Sequence, residues 1–384
     1  MDKFIIKNVS QESIKKELSL VGFDSSYIHQ AAYKYRYFNI KIFNLSLPQV
    51  NILKQAALSF GADCAVHRDI LTAEVQNSDC ILGGSVSQIK KIINSLKFQP
   101  FSMKVLAEEL ERFIAGYNRR KSQVVGILNL TKDSFSDGGL YYNFEDAVAH
   151  LNELIDDGAD IIDIGAESTR PYSSPVSAEE QLEKIVPILK YINNKNINIP
   201  ISIDTRLSSV AQAAIDFGVA IINDVSGFTY DDKLPAVISD NDVKVIIQHS
   251  QGTPDVMQDN PIYDSVIDEV YCDFVSNKLK FALEFGIKKE NIILDVGIGF
   301  GKTKEQNYQL IKHIKDFKYL GYPVMLGLSR KTLLDMPNAS NEEKDIYTLA
   351  LNTIAIEHDV DYLRVHNVKL HKRLIELMNN FSEE

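Results

Sequence analysis

Short apolar runs recur along the chain from about residue 120 onward, and a helical pattern follows each of them. The runs end in polar or glycine-rich segments, which is typical of strands buried on both faces of a parallel sheet. Eight such runs occur, namely VVGILNL, ADIIDIGAE, IPISIDT, AIINDVS, KVIIQHS, NIILDVG, PVMLGLS and DYLRVHN. Eight alternating strand and helix units predict a closed (β/α)8 TIM barrel, and an open doubly wound sheet is the alternative.

Two of the predicted helices differ in how clearly they are marked. In VSAEEQLEKIVPIL, Ser177 and Glu180 have the spacing of a capping box, which predicts a well-defined helix start. The fourth unit is the weakest, because its helical segment DDKLPAVISDN is short and interrupted by Pro235.

The part of the chain before the barrel has a different pattern. The segments LPQVNILKQAALSFG and MKVLAEELERFIAGY read as helices, and YFNIKIF, CAVHRDI and DCILGG read as strands. The polar stretch YNRRKSQ then forms a short connection. We therefore predict a small α+β N-terminal domain of unknown role over residues 1–118 and the barrel over residues 119–384.

Composition limits the classes of function. A chain of 384 residues with 45% hydrophobic content can bury two cores, and a net charge of -11 argues against nucleic acid or an anionic membrane as a general partner. A local basic pocket stays compatible with this charge. The three cysteines, Cys64, Cys80 and Cys272, have neither disulfide-framework nor zinc-site spacing. With no apolar stretch of membrane-span length and no signal-peptide pattern at the start, we expect a cytoplasmic protein.

Polar residues follow the apolar runs at the same end of every predicted strand. In a barrel the C-terminal strand ends converge on one face, which is where active sites lie. We therefore expect one site built from these strand ends: Asn129; Glu167, Ser168, Thr169 and Arg170; Asp204 and Thr205; Asn223 and Asp224; His249; Asp295; Ser329, Arg330 and Lys331; and Arg364 with His366.

These segments resemble, in order, the motifs of the dihydropteroate synthases, a family of folate-pathway enzymes. The matching motifs lie between about Val124 and Asn380 and are GILNLTKDSFSDGG, DIGAESTRP, SIDT, IINDVSG, QHSQGTP, DVGIGFGK, GLSRK and RVHNV. The resemblance implies a pterin-binding barrel that joins 4-aminobenzoate to 6-hydroxymethyl-7,8-dihydropterin diphosphate and releases diphosphate. It also implies a Mg²⁺ cofactor and a sulfonamide target, and we expect a homodimer.

Recognition of the pterin can be argued from donors and acceptors. A buried carboxylate can accept two hydrogen bonds from the amidine-like edge of a pterin, and Asp295 suits this role. Asn223 offers a donor and an acceptor, and Lys331 can donate to the ring carbonyl or a ring nitrogen. The resemblance assigns these three residues to pterin binding together with Asp204, which we expect to stabilise a cation electrostatically.

The diphosphate requires positive charge. Arg364 and His366 alternate with Val365, so the two-residue period of a strand directs both polar side chains to one side. Arg170 is a candidate for contact with the same phosphates or with the 4-aminobenzoate carboxylate. By resemblance, Asn129 ligates Mg²⁺ through an amide oxygen.

The resemblance further implies a 4-aminobenzoate pocket with two mobile loops, lined by Phe135, Thr169, Arg170, Pro171, Phe300, Ser329 and Lys331. Catalysis is assigned to Asp204, Lys331, Arg364 and His366. Diphosphate departs first, and the neutral aromatic amine then attacks the pterin methylene cation. For His249, a structural role and a role in the site both stay open.

Several positions depart from the usual family pattern without removing an assigned catalytic residue: Lys132, Gln248, Ser250, Val296, Thr332 and Asn367. Two other functions are therefore kept open. A pterin-binding methyltransferase shares the barrel and could use Asp295 and Asn223, and a catalytically silent homologue would bind pterin without turnover. Release of diphosphate distinguishes the three.

Overall fold

A computed structural model of the chain describes residues 4–131, 143–167, 175–252, 261–331 and 339–382. The chain divides into two compact units, Met1–Gly116 and Tyr117–Glu384. Each unit has its own hydrophobic core.

The first unit is a small α+β structure, as the sequence predicts. Its three-stranded antiparallel sheet has the order β1-β3-β2. Two of its helices begin with capping boxes, formed by Ser46 with Gln49 and by Ser85 with Gln88. The elements are α1 Ile14–Leu20, α2 Ile28–Ala32, β1 Tyr37–Ser46, α3 Leu47–Ser59, β2 Asp63–Val66, a 3-10 turn Arg68–Ile70, β3 Asn77–Ser85, α4 Val86–Leu96 and α5 Met103–Ala115.

The second unit is a closed parallel barrel of eight strands, which confirms the predicted fold class and excludes the open sheet. The last strand pairs with the first, as the parallel register of Arg364 with Val125 shows. The strands coincide with the eight apolar runs and are β4 Gln123–Asn129, β5 Ile161–Gly165, β6 Ile201–Asp204, β7 Ile221–Asp224, β8 Lys244–Gln248, β9 Ile292–Asp295, β10 Val324–Leu326 and β11 Tyr362–Val365.

Helices follow every strand of the barrel. The capping box of Ser177 and Glu180 is present, whereas Pro235 lies in the first turn of its helix and does not interrupt it. Proline fits there because the first helical N–H groups have no partner within the helix. The helices are α6 Phe144–Asp156, α7 Ala178–Asn194, α8 Ser208–Asp216, α9 Leu234–Asn241, α10 Val266–Asp273, a π turn Phe274–Lys278, α11 Leu279–Glu284, a 3-10 turn Lys289–Asn291, α12 Lys304–Lys312, α13 Ile314–Lys318, α14 Asn341–Glu357 and α15 Val368–Ser382. None of the helices in the described ranges is long and apolar enough to cross a membrane.

The barrel interior has an apolar layer and a polar layer. The apolar layer consists of Val125, Ile161, Ile221, Ile246, Ile293, Met325 and Tyr362. Because side chains alternate along a strand, the residue two positions later also faces the interior. On five strands that residue is polar: Asp163, Asn223, Gln248, Asp295 and Arg364. The polar layer therefore lies on the side of the C-terminal strand ends.

A buried ion pair lies at the opposite, N-terminal end of the strands. The side chains of Lys318 and Asp361 are both 3% exposed, and the Lys318 ammonium donates to Asp361 Oδ2. The same carboxylate oxygen accepts the Val324 N–H at 2.7 Å. This pair ties α13 to β10 and to the start of β11, which is a structural position in a barrel.

We expect Lys318→Met to destabilise the barrel by about 3 to 5 kcal/mol, because it leaves the Asp361 carboxylate buried without its cation. Urea unfolding followed by circular dichroism measures the change. Lys288→Met is the matched control in the same unit, since Lys288 pairs with Asp242 on the surface. Equal unfolding curves for the two variants would show that the buried pair has no special role.

Candidate active site

The C-terminal ends of four neighbouring strands bring polar residues into one row. Asn129 is in register with Gly165, Gly165 with Asp204, and Asp204 with Asn223. A β-carbon built at Gly165 would lie 3.4 Å from Asp204 Cβ and 3.7 Å from Asn129 Oδ1. The absence of a side chain at Gly165 therefore leaves space between Asn129 and Asp204.

Arg364 lies at the centre of a buried network. Its Nε donates to Asp163 Oδ2 at 2.6 Å, and its Nη2 donates to Asp204 Oδ2 at 2.8 Å. Asn223 Nδ2 donates to the same Asp163 oxygen at 3.1 Å. A β-carbon at Gly327 would lie 3.7 Å from Arg364 Cβ and 3.8 Å from Asp295 Oδ2, so Gly327 leaves a gap between these two side chains.

Burial dominates the electrostatics of this network. It raises the pKa of Asp204 to about 7; Arg364 opposes that rise, and Asp163 adds to it. One guanidinium serves two carboxylates, so it does not compensate both fully. For Arg364 itself, burial lowers the pKa, but the carboxylates of Asp163 and Asp204 outweigh this effect and the net pKa is raised. Arg364 is therefore a permanent cation, whereas Asp204 titrates near neutral pH.

Asp295 and Lys331 form the other side of the site. Burial raises the pKa of Asp295, against the opposing effects of Lys331 and of the Gly297 N–H, which donates to Asp295 Oδ1 at 2.8 Å. Lys331 Nζ donates to the Ile298 carbonyl at 2.6 Å and lies 4.6 Å from the centroid of the Phe300 ring. Burial lowers the pKa of Lys331 to about 8, and Asp295 partly offsets that decrease.

Ser329 and His366 meet at the ends of the last two strands. Ser329 Oγ lies 2.9 Å from the ring nitrogen Nδ1 of His366 and accepts a hydrogen bond from the backbone N–H of His366 at 3.2 Å. These contacts fix the side-chain hydroxyl at the end of β10 against the imidazole at the end of β11.

Arg330 connects the segment after β10 to Asp345 on α14. It has a left-handed backbone with φ of 56°, and its Nε and Nη2 donate to the two oxygens of Asp345 at 2.8 and 2.9 Å. Asn367 Nδ2 donates to Asp345 Oδ2 at 3.1 Å. The amide of Asn367 can donate this hydrogen bond. An aspartate, which is usual at this position in the family motif, would instead place a second carboxylate against Asp345.

A buried lysine that the sequence analysis did not single out organises the loop after β9. Lys302 Nζ donates to the carbonyl oxygens of Phe300, Gly297 and His249 at 2.9, 3.0 and 3.3 Å. Burial lowers the pKa of Lys302 to about 7. Its three donors connect the end of β8 to the loop that carries Phe300.

The ring of His249 lies in a separate environment. Its centroid is 6.3 Å from the Tyr263 ring and 6.3 Å from the Phe274 ring, and its Nε2 is 4.0 Å from Asp273 Oδ2. Burial holds the pKa of His249 well below its usual value, and Lys302 and Lys278 lower it further. His249 is thus a neutral, buried ring, and its role stays a prediction.

The structure brings together most of the residues named from the sequence. Arg364 and Asp204 are hydrogen-bonded, Lys331 lies by Phe300, and Ser329 contacts His366. Of the site residues named from the sequence, five lie outside the described ranges: Phe135, Ser168, Thr169, Arg170 and Pro171. Lys132 and Thr332 lie there too.

Sequence reasoning missed Asp163, although the sequence carried a signal for it. Asp163 interrupts the apolar run of β5 two residues before the strand end, where alternation directs it into the barrel. A charged residue in a strand buried on both faces needs a charged partner.

Comparison with known proteins identifies relatives of this chain. A sequence profile described as pterin binding enzyme matches residues 125–366. The dihydropteroate synthase of Clostridium beijerinckii is 41% identical over 259 residues, which are 67% of this chain and 93% of that protein.

Two solved structures are also similar to this chain. A dihydropteroate synthase from Clostridium difficile, determined in the presence of pteroic acid, has a TM-score of 0.63 and 37% identity, and the match covers 70% of this chain and all of that one, 100%. A dihydropteroate synthase from Xanthomonas albilineans in complex with 7,8-dihydropteroate has a TM-score of 0.61 and 32% identity over 69% of this chain and 95% of that one.

We expect Gly297→Ala to destabilise the barrel more than Gly218→Ala. Both glycines have positive φ, 68° and 88°, so both variants carry the left-handed cost of about 1 to 2 kcal/mol. Only at Gly297 does the new β-carbon clash, at 1.8 Å from the His249 carbonyl oxygen, whereas nothing lies within 4 Å at Gly218. Urea unfolding compares the two. Equal losses would contradict the close packing inferred at Gly297.

Proposed function

The chain belongs to the pterin binding enzyme family, as a dihydropteroate synthase, and from this premise we propose which residues of its barrel perform the reaction. The enzyme joins 4-aminobenzoate to 6-hydroxymethyl-7,8-dihydropterin diphosphate and gives 7,8-dihydropteroate and diphosphate. The carbon–oxygen bond of the pterin methylene group breaks, and its electron pair leaves with the diphosphate. The lone pair of the amine forms the new carbon–nitrogen bond, and the amine nitrogen then releases a proton to water.

The observation that best supports these assignments is that a carboxylate acceptor and a cationic side chain border the same gap, the one that Gly327 leaves. Asp295 Oδ2 borders the space at Gly327, and the Arg364 side chain borders the same space. Asn223 Oδ1 is buried and has no hydrogen-bond partner among the residues that the structure describes. A pterin, whose ring edge carries N–H donors beside a carbonyl acceptor, complements such a site.

In the proposed binding mode, Asp295 accepts from the amidine edge of the pterin and Asn223 accepts from a further N–H group. Lys331 donates to the ring carbonyl or a ring nitrogen, and its positive charge strengthens either hydrogen bond. The same ammonium lies over Phe300, so a contact with the pterin also fixes one wall of the proposed 4-aminobenzoate pocket. Ser329 contributes to that pocket from the end of β10.

The proposed anion site uses Arg364 and His366. Arg364 Nε and Nη2 are bound to carboxylates, and a guanidinium has five N–H donors, so further donors are available to a phosphate. The Asn129 amide oxygen borders the space over Gly165, and as a hard oxygen donor it fits Mg²⁺. When bound, Mg²⁺ neutralises charge on the diphosphate. No group of three or more His, Cys, Asp or Glu side chains in the described ranges could hold a metal, and Asn129 is the protein ligand that we propose for Mg²⁺.

Asp204 is the proposed stabiliser of the developing methylene cation. Its carboxylate lies at the strand end next to Asn223 in register, within the network of Arg364. As the diphosphate leaves, positive charge grows on the pterin methylene, and an ionised Asp204 stabilises that charge. A homodimer and a cytoplasmic location stay predictions.

Simultaneous measurement of diphosphate and dihydropteroate tests the function. Purified protein is supplied with pterin diphosphate, 4-aminobenzoate and Mg²⁺, and we expect both products in equal amounts. A methyltransferase would release no diphosphate, and a silent homologue would bind the pterin without forming either product. Either result would contradict the proposed roles.

We expect Arg364→Lys to weaken binding of pterin diphosphate about tenfold or more, with a smaller effect on the free hydroxymethylpterin. The lysine keeps one positive charge for Asp163 and Asp204, but it lacks the additional N–H donors of the guanidinium. Calorimetric titration with both ligands measures the difference. Equal weakening of both would contradict a contact with the diphosphate.

We expect kcat/KM for pterin diphosphate to rise as pH increases through about 7, the pKa to which burial raises Asp204. The folded protein binds this proton more tightly than the unfolded chain, so the protonated form adds stability at low pH that is lost as pH rises through about 7. Activity has the opposite dependence because the ionised form stabilises the cation. Asp204→Asn is the control, and its profile keeps only the titration of the substrate and other groups. An unchanged profile in this folded variant would exclude the role of Asp204.

A further inference from the structure

Asp163 is a buried carboxylate for which the mechanism above gives no task. It lies in the middle of β5 and its residue is 0% exposed. Strand alternation directs it into the barrel, in register with Ser202 on β6. An uncompensated carboxylate at this depth would be strongly unfavourable, so its partners define its purpose.

Both described partners of Asp163 belong to the proposed substrate site. One oxygen, Oδ2, accepts from Arg364 Nε at 2.6 Å and from Asn223 Nδ2 at 3.1 Å. Asp163 thus links β5 to β7 and β11 from inside the barrel. We propose that Asp163 is a positioning residue, which orients the Asn223 amide toward the pterin and holds the Arg364 guanidinium for the diphosphate.

The orientation of the Asn223 amide follows from hydrogen-bond chemistry. An ionised carboxylate only accepts hydrogen bonds, so the amide must turn its NH₂ group to Asp163. The amide oxygen is then left as an acceptor, and Asn223 Oδ1 is buried without a partner in the described part of the chain. Asp163 therefore selects a ligand that presents an N–H group at this point and disfavours one that presents a lone pair.

The position of the guanidinium follows from the same contact. The bond from Nε to Asp163 and the bond from Nη2 to Asp204 fix the plane of the Arg364 side chain from two strands. A guanidinium is planar, so two fixed donors also fix the direction of those that are left. Asp163 then acts on diphosphate binding through Arg364 and on pterin binding through Asn223. This inference rests on the proposed function.

The alternative is that Asp163 only balances the charge of Arg364. The two roles differ in a measurable way because Asp163→Asn removes the constraint on the Asn223 amide. We expect binding of hydroxymethylpterin, which lacks the diphosphate, to weaken about tenfold. Simple charge balance predicts no effect on this ligand.

A second readout is the pH profile. Burial is the largest cause that raises the pKa of Asp204; the charge of Arg364 lowers this pKa, and the charges of Asp163, Glu167 and Asp224 raise it further. Removing the Asp163 charge in Asp163→Asn should therefore move the rise in kcat/KM to lower pH. This readout distinguishes an electrostatic effect of Asp163 on Asp204 from a role that only fills space, whereas the hydroxymethylpterin affinity distinguishes positioning of Asn223 from charge balance.

The experiment compares four proteins: wild type, Asp163→Asn, Asn223→Ala and the double variant. If Asp163 acts on the pterin through Asn223, the double variant binds hydroxymethylpterin about as weakly as Asn223→Ala alone. Ser202→Ala is the control for disturbance of the barrel interior, and we expect it to leave affinity and pH profile unchanged. If Asp163→Asn does not fold, Asp163→Ser takes its place with the same two readouts.

The outcomes separate this inference from the proposed function. If the wild type releases diphosphate and forms dihydropteroate, but Asp163→Asn keeps both its pterin affinity and its pH profile, the role of Asp163 is wrong. Additive losses in the double variant would also overturn it. If the wild type itself neither binds pterin nor turns over, the proposed function fails first.

Discussion

The sharing of one guanidinium by two buried carboxylates is the interaction on which the site depends. Arg364 donates to Asp163 and to Asp204 inside the barrel. Removal of charges from water is costly, and one cation offsets the cost of one carboxylate better than of two. This imbalance leaves the pKa of Asp204 raised by burial to about 7, while Arg364 stays charged. The arrangement therefore keeps a permanent cation and a titratable acid in contact.

Strand alternation explains why the barrel can carry such charges. The apolar interior layer, with Ile161 and Tyr362, packs below the polar layer, with Asp163 and Arg364 two residues further along the same strands. The lower layer supplies apolar burial, and the separate Lys318–Asp361 pair anchors the N-terminal ends of the strands. The apolar layer thus stabilises the fold and the polar layer forms the site, so the polar layer can contain unfavourable charges without loss of the fold.

The sequence predicted what depends on local pattern and missed what depends on three-dimensional pairing. Apolar runs with polar ends predicted all eight strands and the gathering of Asp204, Asn223 and Arg364. Asp163 was missed because its purpose depends on partners on β7 and β11, far away in the chain. Lys302 was missed for the same reason, since its acceptors are backbone carbonyls that only the folded loop brings together. The helices α1 and α2 were not predicted, because 7 and 5 residues are too few to show a helical period clearly.

The electrostatics of the site favour positive charge on the proposed substrate. Two ionised carboxylates around one guanidinium carry a net negative charge, which attracts a further positive charge near Asp204. The bound pterin diphosphate does not carry that charge, whereas the methylene carbon develops it as the diphosphate leaves. An ionised Asp204 would therefore gain more from the transition state than from the bound substrate, and only such a difference accelerates the chemical step.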